Sequence, residues 1–384
     1  MTKPIYLDYQ ATTPLDPRVL EAMMPFFTEK FGNPHSNTHT YGWEADAALD
    51  IAREQVAEVI GSQSDEIIFT SGATEANNLV IKGVMEVWGR KRPHLVTVVT
   101  EHKCVLEAVM ACKRQGYEVT VLPVKKDGLV NLDDVRDAVT ERTALVSVMA
   151  VNNEIGVIQP LAEIGRLARA KGALFHSDAA QGFGKIPLNV NALGLDFMSI
   201  SGHKIYGPKG VGAIYKRSGR ARSLAPQMSG GGQEGGVRSG TQAPGLVAGL
   251  GAAAALALTD MTQEAGRLET LMTRLKLGLL DAAPDIIVNG SEQKRWAGNL
   301  NVSFPGIDGD MLLASVRGLA LSSGAACASA VSGPSYVLSA LGRSESESKS
   351  ALRIGIGRFT TDEEIDRAVT VFQKAIISLR KGAA

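Results

Sequence analysis

The strongest constraint on how this chain folds is an alternation. Between residues 93 and 215, short apolar runs take turns with amphipathic, helix-like stretches. The runs are LVTVV (95–99), VTVLPV (119–124), ALVSVMAV (144–151), ALFHS (173–177), FMSI (197–200) and VGAIY (211–215). Repeated βα units produce this pattern, because strands covered by helices on both faces have no solvent side to fill with polar residues. Between two of the runs, LAEIGRLARAKG (161–172) sets apolar residues at helical spacing and ends in glycine, as helix C-termini often do. An α/β fold on a mostly parallel sheet is expected.

Past residue 215 the rhythm breaks. SGGGQEGGVRSG (229–240) is glycine-dense and has no strand immediately before it, so it reads as a mobile loop and not as a dinucleotide-binding turn. Residues 245–280, alanine-rich and then charged, predict one or two long helices connecting two units. The remainder, through NLNVSF, LALSSG and LRIGIG to an amphipathic helix starting near residue 361, has the make-up of a smaller α+β unit. The expected division is a large domain over 15–258 and a small one from 1–14 and 259–384, which 384 residues accommodate at roughly 150 per domain. Forty basic and forty acidic residues cancel, so no global field draws nucleic acid or an anionic membrane surface. Three cysteines without zinc spacing imply a reduced compartment and no metal site. The start lacks the apolar run of a signal peptide, and no stretch reads as a membrane span, so a cytoplasmic location is expected.

Chemistry concentrates where the expected strands end. ALFHS runs out into Asp178, with Ala180 and Gln181 following, and FMSI runs out into SGHKIYGPKG, which carries Ser201, His203 and Lys204. Ligands of doubly wound sheets gather beyond the carboxyl ends of strands. An amine and a carboxylate meeting there fit a pyridoxal 5'-phosphate site, in which the lysine forms a Schiff base and the carboxylate keeps the pyridine nitrogen protonated. The competing reading is a structural Asp178–Lys204 ion pair. TSGATEANN (70–78) offers a seat for the phosphate, with backbone N–H groups of Ala73 and Thr74 at the start of a helix; here the alternative is Ser71 as an ordinary N-cap. His102, after LVTVV, shares the same rim and is placed to stack on a ring and move a proton.

Cys327 lies in SSGAACASAVSGPSY (322–336), a run of small and polar residues expected to form a mobile loop. It is the candidate nucleophile, whereas Cys104 and Cys112, on an expected helix, read as buried small hydrophobes. Arg353, whose fork matches two oxygens, and Asn33 with His35 in FGNPHS are candidates to receive a substrate carboxylate.

Together YLDYQATTP (6–14), FGNPHS, SGATEANN, TEHK, VNNEIG (151–156), DAAQ, SGHKIYGPKG, RSGTQ (238–242), SSGAACAS and LRIGIGRFT make the chain resemble the NifS/IscS-like cysteine desulfurases, pyridoxal-phosphate enzymes of the class V aminotransferase group. The resemblance implies a fold-type I transferase that converts L-cysteine to alanine, with the sulfur passing to Cys327 as a persulfide and on to an acceptor such as an iron–sulfur scaffold protein. By the same resemblance Lys204 carries the cofactor, Asp178 pairs with its ring nitrogen and His102 stacks on the ring. Thr74, Ser201 and His203 bind the phosphate, Asn153 and Gln181 contact ring substituents, and Arg353 with Asn33 holds the substrate carboxylate. Thr241 is expected to reach over from a second subunit, making the active unit a homodimer. Two rivals stand beside this reading. One is a selenocysteine lyase or another eliminating enzyme of the same fold, and the other is a non-catalytic sulfur-transfer scaffold.

Overall fold

The computed structural model of the chain describes residues 3–219, 223–323 and 334–382. Its large sheet has seven strands, β1 (Ile67–Thr70), β2 (His94–Val98), β3 (Glu118–Leu122), β4 (Thr143–Ser147), β5 (Leu174–Asp178), β6 (Phe197–Ser201) and β7 (Gly212–Lys216), in the order β1-β7-β6-β5-β4-β2-β3. All six apolar runs are strands, to within a few residues at their ends. β7 runs antiparallel to both its neighbours and the remaining pairings are parallel, so the other six strands point one way.

Consecutive residues of these strands face opposite sides, as a two-residue side-chain period requires. Leu145, Leu174 and Phe197 join one apolar cluster with Val80 and Val109, from the helices α1 (Ala73–Trp88) and α2 (Lys103–Arg114). Val146, Phe175 and Met198, one residue along each strand, join the larger cluster on the opposite face. Helix α3 (Leu161–Ala170) covers that face and stops where Gly172 takes a φ of 71°, a left-handed conformation that glycine adopts without a steric penalty.

One continuous helix, α4 (Pro244–Ala282), runs for 39 residues through the expected boundary at 258/259. Two of its glycines mark its two neighbours: a Cβ on Gly251 would meet the Ala52 backbone at 2.7 Å, and one on Gly278 would meet Val369 at 2.4 Å. Its first half therefore packs on the helix Thr40–Ile60 and its second half on the C-terminal helix Asp362–Gly382. By length and composition α4 is also apolar enough to cross a bilayer, which the sequence reading did not anticipate. Here residues such as Leu250, Leu271 and Leu275 belong to the larger core cluster.

Beyond α4 a four-stranded antiparallel sheet combines Ile287–Val288, Asn299–Ser303, Ser322–Ser323 and Ala351–Gly355. The chain start returns to this side: Ile5–Tyr6 pairs with Leu319–Ala320, and Asp8 bridges to Gly355. The glycine-dense segment is a largely exposed loop with one short 3-10 turn (Glu234–Gly236), and Glu234 anchors it. The Glu234 carboxylate, 1% exposed, binds Arg53 at 2.7 Å and accepts the Phe69 N–H at 3.0 Å.

Candidate active site

Parallel strands deliver their carboxyl ends to one edge of the sheet, and a cavity of about 530 Å³ opens there. Asp178 ends β5 and Ser201 ends β6, while the turn after Ser201 carries His203 and Lys204; all four line the cavity. The structural ion-pair reading of Asp178 and Lys204 fails. The Asp178 carboxylate accepts from Asn77 Nδ2 at 2.7 Å and from the Ala180 N–H at 2.9 Å, and forms no ion pair among the described residues. The Lys204 Nζ donates to the backbone oxygens of Gln10 (2.5 Å) and Ala11 (2.8 Å). Amine and carboxylate thus border one space without neutralising each other.

At the same edge α1 begins with Ala73 and Thr74 in the cavity wall. Its N-cap is Gly72, with φ 147° and no side-chain cap, not Ser71. The first N–H groups of the helix are left for an anion, with the helix dipole behind them. His203 faces the same space, and its Nδ1 lies 3.0 Å from Thr12 Oγ1. Burial, with Lys204 and Lys209 adding to it, pushes its pKa down to about 4, so the ring is neutral at pH 7 and one nitrogen carries a hydrogen-bond donor.

His102 lines the cavity as the N-cap of α2, accepting the Cys104 N–H on Nδ1 at 3.2 Å. An Nδ1 that accepts cannot also be protonated, so the neutral ring carries its proton on Nε2. Cys104 departs from the expectation of a buried hydrophobe. It is half-buried in the cavity wall, with Sγ 3.0 Å from His102 Nδ1 and 3.2 Å from Asn77 Nδ2. Cys112 fits the expectation: it is buried, and burial pushes its thiol up to about 11. Behind His102, burial and the Asp178 charge hold the Glu101 carboxyl well above the usual carboxylate range.

Gln181 and Asn153 complete the wall around the expected ring site. The Gln181 Nε2 donates to the Gln10 oxygen at 2.8 Å. Arg353, expected as a carboxylate receptor, is 2% exposed and enters the cavity wall from the small sheet. Its Nη2 binds Asp8 at 2.9 Å and Ser322 Oγ at 3.2 Å, its Nη1 donates to the Asn153 oxygen at 3.2 Å, and its buried Nε has no partner among the described residues.

Three expected residues do not line this cavity. Asn33 accepts the His35 N–H, and His35 Nε2 lies 3.1 Å from Gln242 Oε1. Thr241 borders a small neighbouring recess that shares Ser71, Gly210 and Val211 with the main cavity. Cys327 lies outside the described residues. Among the described residues on either side of it, Ser322 bonds Asp8 and Arg353, and Ser335 bonds Glu154. Burial raises the Glu154 carboxyl to about 7. His94 and His176 serve the fold: His176 bridges Ser147 and Ser199 at 2.9 and 3.0 Å inside the sheet.

Sequence reasoning missed Asn77, Gln10 and Lys185. Asn77 sits four residues into α1, one turn beyond the phosphate seat, and that spacing was the signal available for it.

Residues 5–368 match the family described as Aminotransferase class-V. The cysteine desulfurase IscS of Rickettsia typhi (strain ATCC VR-144 / Wilmington) is 52% identical over 381 residues, which span 99% of this chain and 93% of that protein. Among solved structures, a NifS-like protein superposes with a TM-score of 0.91 at 36% identity, covering 98% of this chain and 100% of that one. A structure described as SspA in complex with cysteine gives 0.82 at 36% identity, covering 94% and 100%. The chain belongs to the aminotransferase class-V family and, within it, to the cysteine desulfurases.

Proposed function

We propose that this cysteine desulfurase holds pyridoxal 5'-phosphate between Asp178 and Lys204, releases alanine from L-cysteine and carries the sulfur away on Cys327. The supporting observation is that the Lys204 amine and the Asp178 carboxylate line one cavity beside a helix N-terminus whose N-cap is a glycine. The donor set matches each part of the cofactor. Backbone N–H groups of Ala73 and Thr74, the Ser201 hydroxyl and the neutral His203 ring suit a phosphate. A carboxylate already oriented by Asn77 suits a protonated ring nitrogen, and the Lys204 amine suits an aldehyde carbon. When bound, the cofactor supplies a protonated ring that spreads the electron pair left by loss of the substrate's α-proton.

The chain's own residues do the rest. Arg353 receives the substrate carboxylate, which then shares the guanidinium with Asp8. Lys204 Nζ would take the proton from the substrate's α-carbon, and His102 would exchange protons through Nε2. The Cys327 thiolate then bonds to the substrate sulfur, and the carbon–sulfur bond breaks with its electron pair left on carbon, which gains protons and departs as alanine. Cys327 follows Ser323 by four residues, and Ser323 pairs with Leu352, next to Arg353 of the cavity wall.

A second copy of the chain belongs to this reading. Phe27, Phe31, Tyr41 and Trp43 are all more than half exposed next to FGNPHS, with Phe31 and Tyr41 stacked at 5.4 Å. A partner covering that patch would bring its own Thr241 toward the phosphate seat. The persulfide passes to an acceptor protein such as an iron–sulfur scaffold, and the enzyme works in the cytoplasm.

The test is to incubate the cofactor-loaded protein with L-cysteine, measure alanine, and weigh the Cys327 peptide by mass spectrometry. Stoichiometric alanine and a gain of one sulfur at Cys327 are expected. Turnover of L-selenocysteine alone would favour the lyase reading, and a colourless protein that pyridoxal phosphate fails to reconstitute would favour the scaffold.

A further inference from the structure

Lys185 is buried, 9% exposed, and among the described residues no carboxylate comes within ion-pair distance of it. Its Nζ donates to Gln181 Oε1 at 3.0 Å and lies 4.4 Å from the centre of the Trp296 ring. Burial, with the nearby Lys204 charge adding to it, pushes the amine down to about 7. A buried amine without a counter-ion costs stability, and none of the steps above uses it.

We propose that Lys185 is a positioning residue, holding the Gln181 side-chain amide in one orientation so that its nitrogen, not its oxygen, is presented toward the cofactor's ring oxygen. The inference rests on the cofactor reading given above. An amide can turn over at little intrinsic cost, so its direction is set by its partners. At one end Lys185 carries N–H donors in either protonation state, and the Gln181 oxygen faces it. At the other end the Gln10 backbone oxygen can only accept, and Gln181 Nε2 donates to it at 2.8 Å. That same oxygen accepts the Lys204 Nζ at 2.5 Å. The chain of bonds thus runs from Lys185 through Gln181 to the atom beside the Schiff-base lysine. Both anchors agree on the orientation, and the second Nε2 hydrogen is left to favour a negatively charged ring oxygen.

Lys185→Met keeps most of the unbranched side chain, one atom shorter, and removes the donor. In cofactor-loaded protein, the pH midpoint of the visible absorption band should rise by about one unit, the size of one charge-assisted hydrogen bond. Cofactor dissociation should strengthen about tenfold, KM for cysteine should stay within about twofold because Arg353 is untouched, and the melting temperature should hold or rise because a buried amine has gone. In a Gln181→Leu background the same change should leave the midpoint where it is, since Lys185 acts through Gln181. An unmoved midpoint in Lys185→Met, or an equal rise with and without Gln181, overturns the proposal. So does a collapsed melting transition in both Lys185→Met and Lys185→Leu, which would make the residue structural. A parent protein that takes up no pyridoxal phosphate refutes the cofactor reading instead.

Discussion

Glu234→Ala removes the carboxylate that holds the glycine-dense segment onto the large sheet. The residue makes two bonds of 2.7 Å to Arg53, accepts the Phe69 N–H at 3.0 Å and accepts Gln242 Nε2 at 2.8 Å. Arg53, 17% exposed, would be left with the Ile67 oxygen and the Phe69 ring. Breaking a buried pair by deleting one partner costs about 3–5 kcal/mol, and some water access to Arg53 favours the lower end. Unfolding entropy of about 2.1 cal/mol/K per residue gives about 0.8 kcal/mol/K for the whole chain, so Tm should fall by about 4–5 °C. Glu234 also has a φ of 50°, a left-handed conformation that costs a side-chain-bearing residue about 1 kcal/mol. Alanine keeps that strain and glycine relieves it. Glu234→Gly should therefore melt about 1 °C above Glu234→Ala, the reverse of the usual order for these two residues inside a helix or strand. Differential scanning calorimetry at pH 7 reads both numbers. An alanine variant within about 1 °C of the parent, or a glycine variant below the alanine one, would refute the reasoning.

Other consequences are open to measurement. Cys327→Ala should bind cofactor normally yet lose alanine production, as single-turnover and steady-state assays would register; normal turnover removes the residue from the reaction. Asn77→Leu, which deletes a 2.7 Å bond to Asp178, should lower kcat about tenfold with KM little changed, and an unaltered kcat would show that the bond does not position the carboxylate. Burial pushes His176 down to about 3, so its NMR signals should not titrate between pH 8 and 5. The sign for stability follows: below about pH 6.5 the unfolded ring gains a proton that the folded ring refuses. Its contribution is therefore complete above pH 6.5 and declines toward pH 3. A His176 midpoint near 6.5 would contradict this.

The sheet was legible because its central strands are buried on both faces, and an uninterrupted apolar run is the direct imprint of that burial. β1, only four residues long, lies before the βα rhythm and was not anticipated. The antiparallel course of β7 leaves no trace in its own residues, since VGAIY would look the same running either way. The cavity residues Asp178, Ser201 and Lys204 could be placed because each follows a strand that can be counted. Lys185 and Cys104 could not, because their significance lies in contacts across loops: one touches Gln181, the other His102. The anchor of the glycine-dense segment was hidden for a similar reason. Composition reports the freedom of the backbone, but the buried Glu234 carboxylate bonds Arg53, and a charge partner 181 residues away is invisible to local pattern. Thr241, Asn33 and His35 stay outside this cavity, and of the three only Thr241 was expected to act from a second copy.

If Lys204 is the lysine that joins covalently to pyridoxal phosphate, no other lysine near the cavity should carry the cofactor. Borohydride reduction of the cofactor-loaded protein fixes that linkage, and peptide mass mapping then identifies the modified residue. A pyridoxyl-phosphate adduct is expected on the peptide containing Lys204 and none after Lys204→Ala. An adduct on Lys185 or Lys209, or no adduct in a fully loaded protein, would contradict it.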